Sequence, residues 1–167
     1  MDMDTIRFLY SYDSWVNQRL LADAERLPPE RTRESFGASF DTIHGTLAHI
    51  LGSQINWLSR WRGVSPTRQV TGADFASLSA IRQRLAEHHL ELEAHMSGLT
   101  NEELNAPLSY RNIEGKSYTL PMWEQMVHVV NHGTHHRGEL ADMLTRCGHA
   151  PEPTDLIRYC LTRTGQE

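Results

Sequence analysis

Apolar residues recur at three- and four-residue steps along four long stretches of the chain, the spacing of one buried face on an α-helix. The first stretch, about 4–27, carries Ile6, Leu9, Val16, Leu20, Ala24 and Leu27 and is closed by Pro28 and Pro29. The second, about 40–62, places Ile43, Leu47, Ile50, Gln54, Trp57 and Trp61 on one side, with Gly63 as its stop and Pro66 beyond. The third starts near Asp74, which reads as its N-cap, and carries Leu78, Ile81, Leu85, Leu92 and Leu99. Thr100 to Glu103 has the form of a capping box for a short helix. Residues 106–120 lose the period and predict a loop or small hairpin. Pro121 suits the first position of a fourth helix that runs to about Cys147 and stops at Gly148. Thr154 is then expected to cap a last short helix, about 155–162. The pattern predicts an all-α four-helix bundle, one domain over residues 1–167, with short extra helices. The stretch 63–72 is long enough to cross over one end of the bundle.

Composition narrows the function classes. The formal charge is −5, from 16 Lys and Arg against 21 Asp and Glu, and no basic stripe appears. A duplex-binding domain needs such a face to replace counterions, so nucleic acid is not an expected partner. The longest apolar run is a few residues, too short to cross a membrane, and the acidic start MDMDTIRF does not resemble a secretory leader. Two cysteines, Cys147 and Cys160, make no disulfide framework, so a reducing cytoplasm is expected. Histidine is the outlier, with ten copies scattered along the chain.

Three of the ten point to metal chemistry. The predicted fourth helix contains His128, His132, His135 and His136. Side chains four apart share a helix face, so His128 with His132, or His132 with His136, can converge on one cation. With His128 set at 0° and about 100° per residue, His132 and His136 fall at about 40° and 80°, against an apolar arc. His128 and His135 lie toward the polar side. His132 and His136 are therefore the preferred pair, with His128 in reserve. Glu139 is close in phase and reads either as an acceptor for an imidazole N–H or as an exposed carboxylate. A third ligand must come from elsewhere. His49 of the second helix stands beside Thr42, Gly45, Thr46, Ser53 and Asn56, small and polar neighbours that leave room for an ion. His44 lies in the first turn, away from the middle of the bundle. Cys147, eleven residues past His136, lies about 16 Å further along the axis, too far to share that metal. Three histidines with an open position form the catalytic type of site, completed by water or substrate. Ligation by imidazoles alone predicts that metal affinity falls below about pH 6.5. His88, His89 and His95 flank the leucine stripe of the third helix and read as seam-edge or solvated residues; His149 reads as exposed. Trp15, Trp57 and Trp61 read as core or pocket wall. Arg137 falls inside the apolar arc; it reads either as a buried arginine that needs a carboxylate, for which Asp13 is a possible partner, or as an ordinary surface arginine.

Taken together, Tyr12 to Leu21 (YDSWVNQRLL), Ile43 to Gly63 (IHGTLAHILGSQINWLSRWRG), Tyr110 to Tyr118, and His128 to Glu139 (HVVNHGTHHRGE) resemble the DinB-like family, which is described together with YfiT-like metalloenzymes. The resemblance spans most of the chain. It implies a DinB-type four-helix bundle, a homodimer, and a divalent metal, zinc or nickel, on three histidines. By motif these fall on His49, His132 and His136. It further implies a small-molecule substrate and a low-molecular-weight thiol as cosubstrate of an S-transferase. A metal-dependent hydrolase on the same site and a non-catalytic metal-binding stress-response dimer are the alternatives.

Overall fold

The computed structural model describes residues 1–166. Four long helices carry the fold: α1 (Met3–Ala24), α2 (Ile43–Trp61), α3 (Leu78–Ser97) and α5 (Met122–Arg146). A short α4 (Asn101–Asn105), a hairpin of β1 (Pro107–Arg111) and β2 (Ser117–Pro121), and a terminal α6 (Leu156–Thr164) complete it. Around the bundle α1 packs on α5, α5 on α2, α2 on α3 and α3 on α1. The core fills from one stripe of each: Ile6, Val16 and Leu20; Ile43, Leu51 and Leu58; Ile81 and Leu92; Met126, Val129, Leu140 and Leu144, all buried. Each such side chain contributes roughly 1.5–3 kcal/mol on burial, which is why the helical period dominates the fold. Among the described residues no helix is long and apolar enough to cross a membrane.

The four helices and both glycine stops match the predicted pattern, with Gly63 and Gly148 at φ +84° and +82°. The boundaries move where side chains find better partners. Helix α1 ends at Ala24, a turn before Leu27. Helix α2 begins at Ile43 instead of near residue 40, because Asp41 adopts a left-handed φ of 62° and Thr42 caps by accepting from the Gly45 N–H at 2.8 Å. Asp74 does not cap the third helix. Its carboxylate is taken by the Thr71 N–H and by Arg68, both at 2.8 Å, in a 3-10 turn. Ser77 caps α3 instead. Pro121 ends β2, paired with Pro107, and α5 starts one residue later. Thr154 is not the cap of α6, which begins after Asp155; its carbonyl accepts from the Tyr12 hydroxyl at 2.9 Å.

Two tethers set the surroundings of the α2–α5 seam. Gln125 on α5 donates to the Leu108 and Leu120 carbonyls, fixing the hairpin to the start of α5. The crossover after Gly63 lies along α2, where Asn56 donates to Gln69 at 3.0 Å.

Candidate metal centre

Helices α2 and α5 are adjacent, and they bring His49, His132 and His136 together. The His132 Nε2 lies 3.1 Å from His49 Nε2 and 3.2 Å from His136 Nε2. Two nitrogens held by one zinc ion at about 2.0–2.1 Å and near-tetrahedral angles stand about 3.3 Å apart. The donor set therefore has the span of a single coordination sphere. Its chemistry fits as well. The His136 Nδ1–H donates to Glu139 Oε2 at 2.7 Å, which leaves Nε2 as the ring atom directed at its two neighbours and available to a cation. Facing lone pairs repel, and a cation between them removes the repulsion. Among the described residues no fourth His, Cys, Asp or Glu donor joins this trio; a second cluster, His135, His136 and Glu139, shares His136 and uses the exposed His135.

Burial, then the neighbouring imidazoles, pushes His49 and His132 from 6.5 to about 4. The folded protein thus keeps both rings neutral, the form that ligates, well below the pH 6.5 expected from free histidine. For Glu139 burial works upward, but hydrogen bonds from His136 and Ser39 outweigh it and hold the carboxyl below its usual range. It stays an acceptor for His136.

The loop before α2 completes the site. Phe40 stacks on His49, with ring centroids 3.6 Å apart and planes at 14°, and meets His136 edge-on at 5.2 Å. The Ser39 hydroxyl donates to the second oxygen of Glu139 at 2.8 Å. Asp41 accepts from Ser35 Oγ and the Gly37 N–H, holding the loop in its turn. Helical periodicity absorbed Phe40 into α2 and could not show this; a left-handed Asp41 is a backbone fact with no periodic signal.

The remaining histidines sort by packing. His128 is exposed and does not join the triad, although its ring lies 5.8 Å from that of His132. His135 is exposed, as expected. His44 is buried but faces Arg33 at 3.4 Å and the Gly72 turn, away from the triad. His149 is half-buried against Asp23. His88 corrects the sequence reading: it is 2% exposed, with Nδ1 lacking a partner, because it turns into the interior between α1 and α3. His95 also departs from a solvated reading, stacking on Trp61 with planes at 12°.

Burial, then the charge of Arg84, pulls His88 from 6.5 to about 4. The unfolded chain binds a proton between these values and the folded chain does not. Stability is therefore full above about pH 6.5 and falls as pH drops toward 4, by roughly 3 kcal/mol from His88 alone. In the metal-free protein His49 and His132 act in the same direction. Urea midpoints at pH 7.5 and 5 should differ clearly, and His88→Leu should make the difference smaller. A difference left unchanged by His88→Leu would show His88 to be solvated.

One more feature ties the site to the core. Gly133, in the NHG segment, has no room for a side chain: a Cβ there would stand 2.6 Å from Arg137 Nη1 and 3.0 Å from Asp13 Oδ1. Arg137 and Asp13 form the buried pair expected from phase, each side chain 3% exposed, and Gln54 and Asn17 also donate to the same carboxylate. The helix turn that presents His132 and His136 is thereby clamped onto α1.

A helix bundle with a histidine trio on two neighbouring helices, each ring fixed by packing or a carboxylate, is the class of protein that fold and site define. A DinB family sequence profile matches residues 2–166, and the chain belongs to that family. It is 28% identical to Protein DinB of Bacillus subtilis (strain 168) over 167 residues, covering 93% of this chain and 94% of that protein. A crystal structure of a DinB-like protein from Bacillus cereus ATCC 10987 superposes with a TM-score of 0.61 at 19% identity, covering 87% of this chain and 95% of the other. That likeness bears on the fold alone.

Proposed function

We propose that His49, His132 and His136 hold one divalent cation, zinc or nickel, and that the protein is a metal-dependent S-transferase using a low-molecular-weight thiol. The convergence of three Nε2 atoms with 3.1 and 3.2 Å contacts is the observation that carries the reading. An ion bound there with three protein ligands keeps a position open, where it lowers the pKa of a thiol or water. The chain's own residues do the rest. Glu139 fixes the tautomer and direction of His136. Phe40 covers one face of His49 and excludes water from it. Ser39 ties the covering loop to Glu139. The homodimer implied by the family resemblance is part of the proposal.

Elemental analysis of the isolated protein, followed by thiol consumption against a panel of electrophiles, tests the reading. One equivalent of metal per chain and thiol loss that stops in His132→Ala are expected. Metal-dependent ester or amide turnover without thiol would replace the transferase by a hydrolase. Tight metal binding with neither activity would leave a binding protein.

A further inference from the structure

Two arginines are buried in the bundle, and they are provided for differently. Arg137, 3% exposed, has Asp13. Arg60 on α2, 7% exposed, has no carboxylate within ion-pairing distance among the described residues. Its guanidinium lies over Trp57, 4.5 Å from the ring centroid, and over Tyr110 of β1 at 5.3 Å. Those rings satisfy the flat faces of the cation, but its N–H donors lie in the plane and need acceptors. The Nε is fully enclosed and has none. The two Nη atoms are not enclosed and have no acceptor among the described residues, so the outer edge of the fork is left to an acceptor from outside the chain.

Its place in the fold says what. Arg60 follows His49 by eleven residues, so it points within about 20° of the same direction, about 16 Å further along α2. Trp57, beneath it, meets His128 at 5.4 Å, and His128 meets His132 at 5.8 Å. A continuous row of rings thus runs from the guanidinium to the triad.

We propose that Arg60 is an anion-binding residue beside the α2–α5 seam, receiving a carboxylate or phosphate carried by an elongated substrate whose other end reaches the histidine triad. A planar, bidentate acceptor matches the unused edge of the guanidinium. The placement of the substrate's reacting end rests on the metal-centre reading; the anion site does not.

Calorimetric titration of the full-length protein with inorganic phosphate and with succinate tests it, the two probes separating phosphate from carboxylate preference. Saturable one-to-one binding of at least one probe is expected. Arg60→Met should weaken it tenfold or more while leaving metal content unchanged, and Arg60→Lys should fall between. His132→Ala should lose metal and keep the anion. The melting temperature of Arg60→Met should stay level or rise, because an unpaired buried charge has been removed. Absence of saturable binding, equal binding by Arg60→Met, or binding lost with His132 instead of Arg60 would each overturn the proposal. So would an Arg60→Met protein that fails to fold or melts several degrees lower, since the guanidinium would then be a structural group. A failure of the metal reading shows separately, as wild-type protein without metal.

Discussion

Replacing Arg137 by Met, with Asp13 left in place, is expected to destabilise the fold by about 3–5 kcal/mol, the usual cost of stranding one partner of a buried ion pair. Asp13 is 2% exposed, and burial already pushes its carboxyl above the ordinary range against the pull of Arg137, Gln54 and Asn17. Removing the guanidinium also frees Thr134 Oγ1 and Asn17 Oδ1 of their donor. The double replacement Arg137→Met with Asp13→Leu should cost less than the single one, because no charge is left buried. Urea unfolding of the three variants gives the coupling directly. Equal losses for single and double variants would show that the pair is not what joins α1 to α5.

His132→Ala should abolish metal binding, whereas His135→Ala should leave it unchanged. His132 stands between the other two nitrogens at 3.1 and 3.2 Å, so its loss removes the middle of the donor set. His135, next in sequence to His136, has a side chain 68% exposed and is not one of the three converging donors. Glu139→Gln should fall between, weakening metal affinity about 10–100-fold through loss of the carboxylate that orients His136. Competition against a chromogenic chelator measures all three. Similar affinities for His132→Ala and His135→Ala would sink the assignment of the centre.

Much of this was readable in the chain. Phase on the α5 helix separated His132 and His136 from His128 and His135, and it also placed Arg137 in the apolar arc with Asp13 as its partner. Both conclusions need only the helical repeat and the rule that a buried charge seeks its opposite. His88 failed for a related reason: phase assigned it to the seam edge, but the packing of α1 beside α3 encloses that edge. Arg60 gave no signal at all. Its polarity agrees with a solvated helix face, and the hairpin, tethered through Gln125, brings Tyr110 over it, with the Nε enclosed.

The helical period and the NHG–HHRG spacing, local properties of one chain segment, determined the bundle, its four long helices and two of the three converging histidines. His49 was named from its small neighbours and by motif, but how a left-handed Asp41 turns Phe40 onto it, and which arginine goes without a carboxylate, were decided by tertiary packing. Those outcomes depend on the relative position of elements distant in sequence, where a side chain's environment is set by what another helix or loop places against it.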